Sequence, residues 1–150
     1  MKNIVMVCLG NICRSPLAEG ILQSKLNSKY FFVDSAGTAA YHVGELPDKR
    51  SIEVAKKYGI DITNQSARKF TIQDFDKFDI IYAMDKSNYQ NILNLARNSS
   101  DVKKVHLILN ESNPEENLSV PDPYYGGNQG FENVFTMLDK ACTVIANRLQ

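Results

Sequence analysis

Cys8-Leu9-Gly10-Asn11-Ile12-Cys13-Arg14-Ser15-Pro16 is the stretch on which the reading of this chain turns. The apolar run Ile4-Val5-Met6-Val7 leads into it. Pro16-Leu17-Ala18-Glu19 leads out, and Leu17, Ile21, Leu22 and Leu26 recur at helical spacing. Strand, tight loop and helix in that order make a cradle for a tetrahedral anion. A loop of this size can turn its backbone N–H groups inward, and the helix start adds its positive end at the same point. No lysine of the nucleotide-binding kind follows, which disfavours a nucleotide loop. Instead Cys8 stands at the head and Arg14 near the end. A thiol set among such dipoles favours its anion. A guanidinium grips two phosphoryl oxygens in a planar fork. Gly10 is expected to give the backbone freedom, and Asn11 to accept a left-handed conformation. Ser15 is expected to cap the helix, with Pro16 at its first position.

Outward from this loop the chain alternates strand and helix. Lys2 to Val7 reads as a buried strand, and the following helix runs to about Asn27. Tyr30-Phe31-Phe32-Val33 opens a second strand that ends at Ser35. Residues 36–47 read as a loop over the strand ends, and Asp48 to Tyr58 as a helix stopped by Gly59. Residues 61–70 are irregular, and 71–75 suggest one helical turn. Asp79 to Ala83 is a third strand, Ser87 to Ala96 a helix, and Lys104 to Leu109 a fourth strand. Asn110 to Gly130 reads as a long loop of the kind that carries function. Phe131 to Leu149 is a last helix with Val134, Leu138, Ala141, Ile145 and Leu149 on one face. This order predicts an α/β fold with a parallel sheet and helices on both faces. Ligands of such folds bind beyond the carboxyl ends of the strands, where the Cys8 loop lies.

At 150 residues the chain suits one domain with one core. Seventeen basic residues balance seventeen acidic ones, which argues against a general nucleic-acid binder. No stretch is long and apolar enough to span a bilayer, and the first apolar run is too short for a signal peptide. Cys8, Cys13 and Cys142 do not make a disulfide framework, and a reducing, cytoplasmic setting is expected. One C-x4-C pair lacks the second cluster that zinc wants, and His42 and His106 stand alone, so no metal and no cofactor are expected.

The segment Cys8 to Ser15 resembles the signature of the low-molecular-weight protein tyrosine phosphatases: cysteine, five residues, arginine, then serine or threonine, close to the N-terminus. Asp122-Pro123-Tyr124-Tyr125 strengthens the likeness, as do Asp34-Ser35-Ala36-Gly37-Thr38, Met84-Asp85-Lys86-Ser87-Asn88 and the turn at Gly126. The resemblance implies one phosphatase domain over residues 1–150, built on a four-stranded sheet of order 2-1-3-4. It implies metal-independent hydrolysis of protein phosphotyrosine and small aryl phosphates through a phosphocysteine. Cys8 would be the nucleophile, and Arg14 would hold the equatorial oxygens. Asp122 would be general acid, then general base. Leu9, Gly10, Asn11, Ile12, Cys13 and Ser15 would line the phosphate site, and Tyr41, Tyr124 and Tyr125 the walls that stack on a phenyl ring. Partners would be phosphotyrosine proteins and oxyanions, with neither membrane nor nucleic acid, and the protein a monomer.

Plainer readings stand beside these. Cys8 can be a small buried hydrophobe, Arg14 a surface cation, and Asp122 a turn starter between two prolines. Tyr124 and Tyr125 can simply pack their own loop, and His42 can be merely exposed. Asp85 is either an N-cap near Ser87 or, by the resemblance, a partner that orients Arg14. Ser35 would help hold Asn11 left-handed, with Gln65 where the family commonly has a supporting histidine. Cys13 is either a packed thiol or, in the family's manner, a reversible disulfide partner of Cys8. The competing activities are arsenate reduction, for which no downstream cysteine pair exists, and phosphoarginine hydrolysis, whose enzymes usually carry threonine at the position of Ile12. A different class is a non-catalytic phosphate-binding or redox-sensing module, which would need no acid at Asp122.

Overall fold

The computed structural model describes residues 1–150, apart from the side chain of Tyr125. The strands are β1 (Lys2–Cys8), β2 (Phe31–Gly37), β3 (Ile80–Ala83) and β4 (Val105–Leu107). The helices are α1 (Arg14–Lys25), α2 (Lys49–Lys57), α3 (Asp74–Lys77), α4 (Lys86–Leu95), α5 (Ser99–Lys104), α6 (Leu109–Ser112) and α7 (Gly127–Leu149), with a 3-10 turn at Pro123–Tyr125. All strands are parallel in the order β2-β1-β3-β4. The expected architecture is therefore the one observed.

β1 is central and buried on both faces, which explains its unbroken apolar run. Ile4, Met6 and Cys8 pack with α1 and α7 residues such as Leu17, Ile21, Leu138 and Ile145. Val5 and Val7 point the other way, toward Phe70, Phe75, Phe78 and Ile92. Burying each such aliphatic or aromatic side chain contributes about 1.5–3 kcal/mol. The chain leaves β1 toward β2 on one side and reaches β3 on the other, so the carboxyl end of β1 is the switch point of the sheet. The Cys8 loop sits there.

Several boundaries differ from expectation, each for a local reason. α1 begins at Arg14, so Ser15 lies inside the helix; the residue before the helix is Cys13, which makes no side-chain cap. The Ser15 hydroxyl is drawn to Cys8 and Asn11 instead. β4 ends at Leu107: the apolar run continues through Ile108 and Leu109, but Leu109 already begins the short α6. The long loop is thus interrupted by α6 and the 3-10 turn, and α7 starts at Gly127 rather than Phe131. α5 is capped by Asn98, whose side chain accepts from the Asp101 N–H. α2 follows expectation: Asp48 caps it, accepting from the Arg50 N–H, and Gly59 takes the left-handed conformation (φ 80°) that ends it.

Candidate active site

The loop from Cys8 to Cys13 is held by its carbonyls. The Cys8 and Leu9 oxygens accept from the N–H groups of Thr38 and Ala39, each at 2.9 Å. The Ile12 oxygen accepts from the Asp48 N–H at 2.7 Å, and the Cys13 oxygen from the Ser51 hydroxyl at 3.2 Å. These four carbonyls are occupied by neighbouring elements, which leaves the peptide N–H groups of the loop as the donors an anion cradle requires. Asn11 has φ 57°, as expected, whereas Gly10 is not in the left-handed region. Gly10 instead leaves room for the His42 ring: a Cβ there would lie 3.0 Å from His42 Cδ2. Gly37 is the stricter glycine. A Cβ there would lie 2.7 Å from the Leu9 carbonyl oxygen and 3.1 Å from the Asn11 nitrogen, both main-chain atoms.

Hydrogen-bond directions follow from the Asn11 amide. Its Oδ1 accepts from the Arg68 N–H at 3.0 Å, so its nitrogen faces the two serines. That nitrogen donates to Ser15 Oγ at 2.8 Å and Ser35 Oγ at 2.9 Å. Ser15 therefore accepts from Asn11 and has its one hydrogen for Cys8 Sγ, 2.9 Å away. A donor aimed at the sulfur is the polarity that a thiolate needs. Ser35 in turn donates to Glu19 Oε1 at 2.7 Å. The chain of bonds thus ends on Glu19, whose carboxyl is pushed up to about 7, first by burial and also by the charge of Asp34. Gln65 is not part of this network: its Nε2 donates to the Pro16 carbonyl at 3.0 Å, and its Oε1 is buried without a partner.

Arg14 is only 5 % exposed. Its Nη1 donates to Asp85 Oδ2 at 2.6 Å and to the Val120 carbonyl at 3.0 Å. Both contacts fall on Nη1, and among the described residues Nε and Nη2 make no hydrogen bond to protein. Asp85 plays both of its expected parts, since its Oδ1 also accepts from the Asn88 N–H at 2.7 Å and caps α4. Asp122 likewise starts a turn, accepting from the Tyr124 N–H at 3.0 Å, and reaches the cleft as well.

The cleft, about 260 Å³, is lined by Cys8, Leu9, Gly10, Ile12, Cys13, Arg14, Tyr41, His42, Asp122 and Tyr124. Tyr41 and Tyr124 are exposed at its lips. Tyr125 falls outside the described side chains. His42 is half-buried rather than merely exposed, with Nδ1 2.6 Å from Glu45 Oε2. Cys13 is a free thiol pushed up to about 12, chiefly by burial and then by the charge of Asp48, so it is poorly suited to act as a nucleophile. Cys142 is buried on α7, where burial raises its thiol as well. Among the described residues no group of three His, Cys, Asp or Glu side chains is placed to hold a metal ion. Among the described residues no helix is long and apolar enough to cross a membrane.

Sequence reading places Cys8, Arg14, Ser15, Ser35, Asp85 and Asp122 where the structure brings them together. It passes over Glu19, Gly37, Asp48, Val120 and the contact of His42 with Gly10. Glu19 carried a signal: it lies four residues after Ser15, on the same helix face.

A family model described as low molecular weight phosphotyrosine protein phosphatase matches residues 3–150. The chain belongs to this family. It is 44% identical to the low molecular weight phosphotyrosine protein phosphatase of Schizosaccharomyces pombe over 144 residues, 91% of each chain. Its structure resembles a protein tyrosine phosphatase from Entamoeba histolytica, solved with Hepes in the active site (TM-score 0.92, 35% identity, 99% of this chain and 97% of that one). It also resembles a Drosophila arginine phosphatase (TM-score 0.89, 33% identity, 100% and 98%). The family's cysteine–arginine loop is here the Cys8–Arg14 loop, braced through the carbonyls of Cys8, Leu9, Ile12 and Cys13.

Proposed function

We propose that the protein hydrolyses phosphotyrosine in proteins, and small aryl phosphates, through a phosphocysteine on Cys8. The observation that carries the reading is the Ser15 hydroxyl 2.9 Å from Cys8 Sγ, on the floor of a cleft that Arg14 and Asp122 also line. In the first step the Cys8 thiolate attacks phosphorus and the P–O bond to the aryl group breaks. The Asp122 carboxyl gives its proton to the departing oxygen. Loop N–H groups and the free side of Arg14 hold the three equatorial oxygens, whose charge the transition state spreads. In the second step water attacks phosphorus and the Asp122 carboxylate takes its proton. The S–P bond breaks, phosphate leaves, and Ser15 receives the thiolate. Asp85 and Ser35 support Arg14 and Asn11. Leu9, Ile12, Tyr41 and Tyr124 form walls that suit a phenyl ring.

Residues 1–150 act as one phosphatase domain in this reading, as a monomer in the cytoplasm. Three free thiols support a reducing setting. Phosphoarginine is the sharpest competing substrate, given the likeness to the Drosophila enzyme, but the apolar Ile12 side chain in the cleft favours a planar ring over a guanidinium. The test is phosphate release, in excess chelator, from a phosphotyrosine peptide, 4-nitrophenyl phosphate and phosphoarginine. Turnover of the first two, and a phosphocysteine trapped by acid quench that Cys8→Ser lacks, is the expected result. Faster turnover of phosphoarginine would sink the tyrosine assignment. No turnover of any ester by folded, reduced protein would sink the hydrolase reading, and arsenate with a thiol donor would follow.

A further inference from the structure

Arg50 lies outside the cleft. It lines a separate groove of about 180 Å³ between α2 and α7, with Glu53, Val54, Phe131 and Glu132. Its guanidinium carbon sits 5.1 Å from the ring centre of Tyr124 and 4.6 Å from that of Phe131. A planar cation over two aromatic rings is attracted by both faces. Its Nη1 donates to the Tyr124 carbonyl at 3.2 Å. Its Nε and Nη2 donate to the two carboxylate oxygens of Asp48, each at 3.2 Å. Asp48 is itself fixed to the phosphate loop, because its N–H donates to the Ile12 carbonyl.

Tyr124 is therefore clasped at both ends of its backbone unit. Asp122 accepts from its N–H, and Arg50 donates to its carbonyl. Ile12, Asp48, Arg50, Tyr124 and Asp122 form an unbroken series of contacts from the phosphate loop to the carboxyl. The Asp122 segment needs such a tie. Asp122 and Tyr124 are both exposed; just before them the Val120 N–H donates to the Met84 carbonyl, and the Val120 carbonyl accepts from the Arg14 side chain.

We infer that Arg50 is a positioning residue for the general acid: it reaches round from α2, behind the cleft, and sets the distance of the Asp122 carboxyl from the phosphate loop. The inference rests on the reading of Asp122 as the acid. Proton transfer is sensitive to misplacement of the donor on the scale of one ångström. Loss of Arg50 therefore matters in proportion to how much the leaving oxygen needs a proton, while the anion cradle, held by the main chain, stays as it is.

The test compares wild type, Arg50→Gln, Arg50→Lys and Asp122→Asn on phenyl, 4-nitrophenyl and 2,4-dinitrophenyl phosphate. The readout is kcat/KM, which reports phosphoryl transfer to Cys8. Inorganic phosphate serves as competitive inhibitor, to report the cradle. Asp122→Asn is expected to lose most with phenyl phosphate and least with the dinitrophenyl ester, whose phenolate leaves unprotonated. Arg50→Gln is expected to follow the same order more mildly, with about a tenfold loss for phenyl phosphate and under about twofold for the dinitrophenyl ester. Inhibition by phosphate should be unchanged. Arg50→Lys keeps a cation beside Asp48 but not the planar fork, so it should lie between wild type and Arg50→Gln. An equal loss on all three esters, or no loss, while Asp122→Asn shows its graded loss, overturns the role of Arg50. A flat response of Asp122→Asn itself would overturn the acid assignment and this inference with it.

Discussion

The Cys8 loop and the Asp122 segment face one another across a single cleft, yet they are held by opposite means. The first has a buried floor: Cys8, Asn11 and Arg14 are at most 5 % exposed. Three of its carbonyls are bound by main-chain N–H groups of Thr38, Ala39 and Asp48. The second is exposed at Asp122 and Tyr124, and beyond the main-chain bond from Val120 to Met84 it is tied by side chains: Arg14 at the Val120 carbonyl, Arg50 at the Tyr124 carbonyl, Asp122 at the Tyr124 N–H. The difference fits the two tasks. Oxygens that gain charge in a transition state are best met by dipoles already in place, which cost no reorganisation during the reaction. A proton donor must stand over the leaving group and still let a bulky phenol in and out. Main chain suits the first task and side chains the second.

The strongest way to probe that division is to remove one chemical group from each side. Cys8→Ser keeps the volume and the partner Ser15 but loses the nucleophile. A fall in kcat/KM on the order of 10⁴ or more is expected, with the thermal midpoint nearly unmoved. Residual turnover near wild type would mean that another group attacks phosphorus. Asp122→Asn comes next. With phenyl phosphate the loss should be about 10²–10⁴. Stability should change by no more than about 0.5 kcal/mol, since Asn can still accept from the Tyr124 N–H. Inhibition by inorganic phosphate should barely shift. If phosphate binding fell in step with turnover, the two sides would not be independent and the contrast would be wrong.

Gly37→Ala strikes the rigid side from outside the loop. The added Cβ would meet the Leu9 carbonyl oxygen at 2.7 Å, and main chain cannot swing away as a side chain can. A destabilisation of about 1–3 kcal/mol is expected. The loss in kcat/KM should be about 10- to 100-fold and the same for every leaving group, together with weaker inhibition by phosphate. A leaving-group-dependent loss would instead show that the strain had reached Asp122.

What is legible in the sequence is what is local. The cradle, its nucleophile and its arginine fall within Cys8–Ser15, and the β1 run that positions them is wholly apolar. The parallel sheet follows from alternation, while its order came only with the family resemblance. What is hidden is long-range. Gly37 reads as a turn residue until the Leu9 carbonyl is laid against it. Arg50 reads as one more helix cation until Tyr124 and Phe131 close on it. Ser15 is misplaced because a capping preference is a local rule, and here Cys8 and Asn11 compete for the hydroxyl. The helices α5 and α6 are too short to show a period. His42 pairs locally with Glu45, but that its ring fills the space a side chain at Gly10 would need shows only in the fold.

The smallest effect on turnover lies at the far end of the hydrogen-bond chain from Cys8. Glu19 is pushed from 4.5 to about 7, with burial the leading cause, while Ser35 and Arg68 pull the other way and Asp34 adds to the rise. The folded protein thus holds this proton more tightly than the unfolded chain does. Its favourable contribution is complete below about pH 4.5, declines as pH rises, and is gone above about pH 7; the difference is on the order of 3 kcal/mol. Glu19→Gln removes the titration and keeps an oxygen for Ser35 to donate to. The stability of this variant relative to wild type should therefore rise between pH 5 and 8, read as an increase in the variant's thermal midpoint minus that of wild type. Parallel curves for the two proteins would show that Glu19 is charged throughout. Activity tells the two sides of the cleft apart once more. Ionised Glu19 is a better acceptor for Ser35, so the Asn11 bonds are kept at high pH. Turnover by Glu19→Gln should then stay within about twofold of wild type near pH 6, because the loop carbonyls that Thr38, Ala39 and Asp48 hold do not depend on that proton.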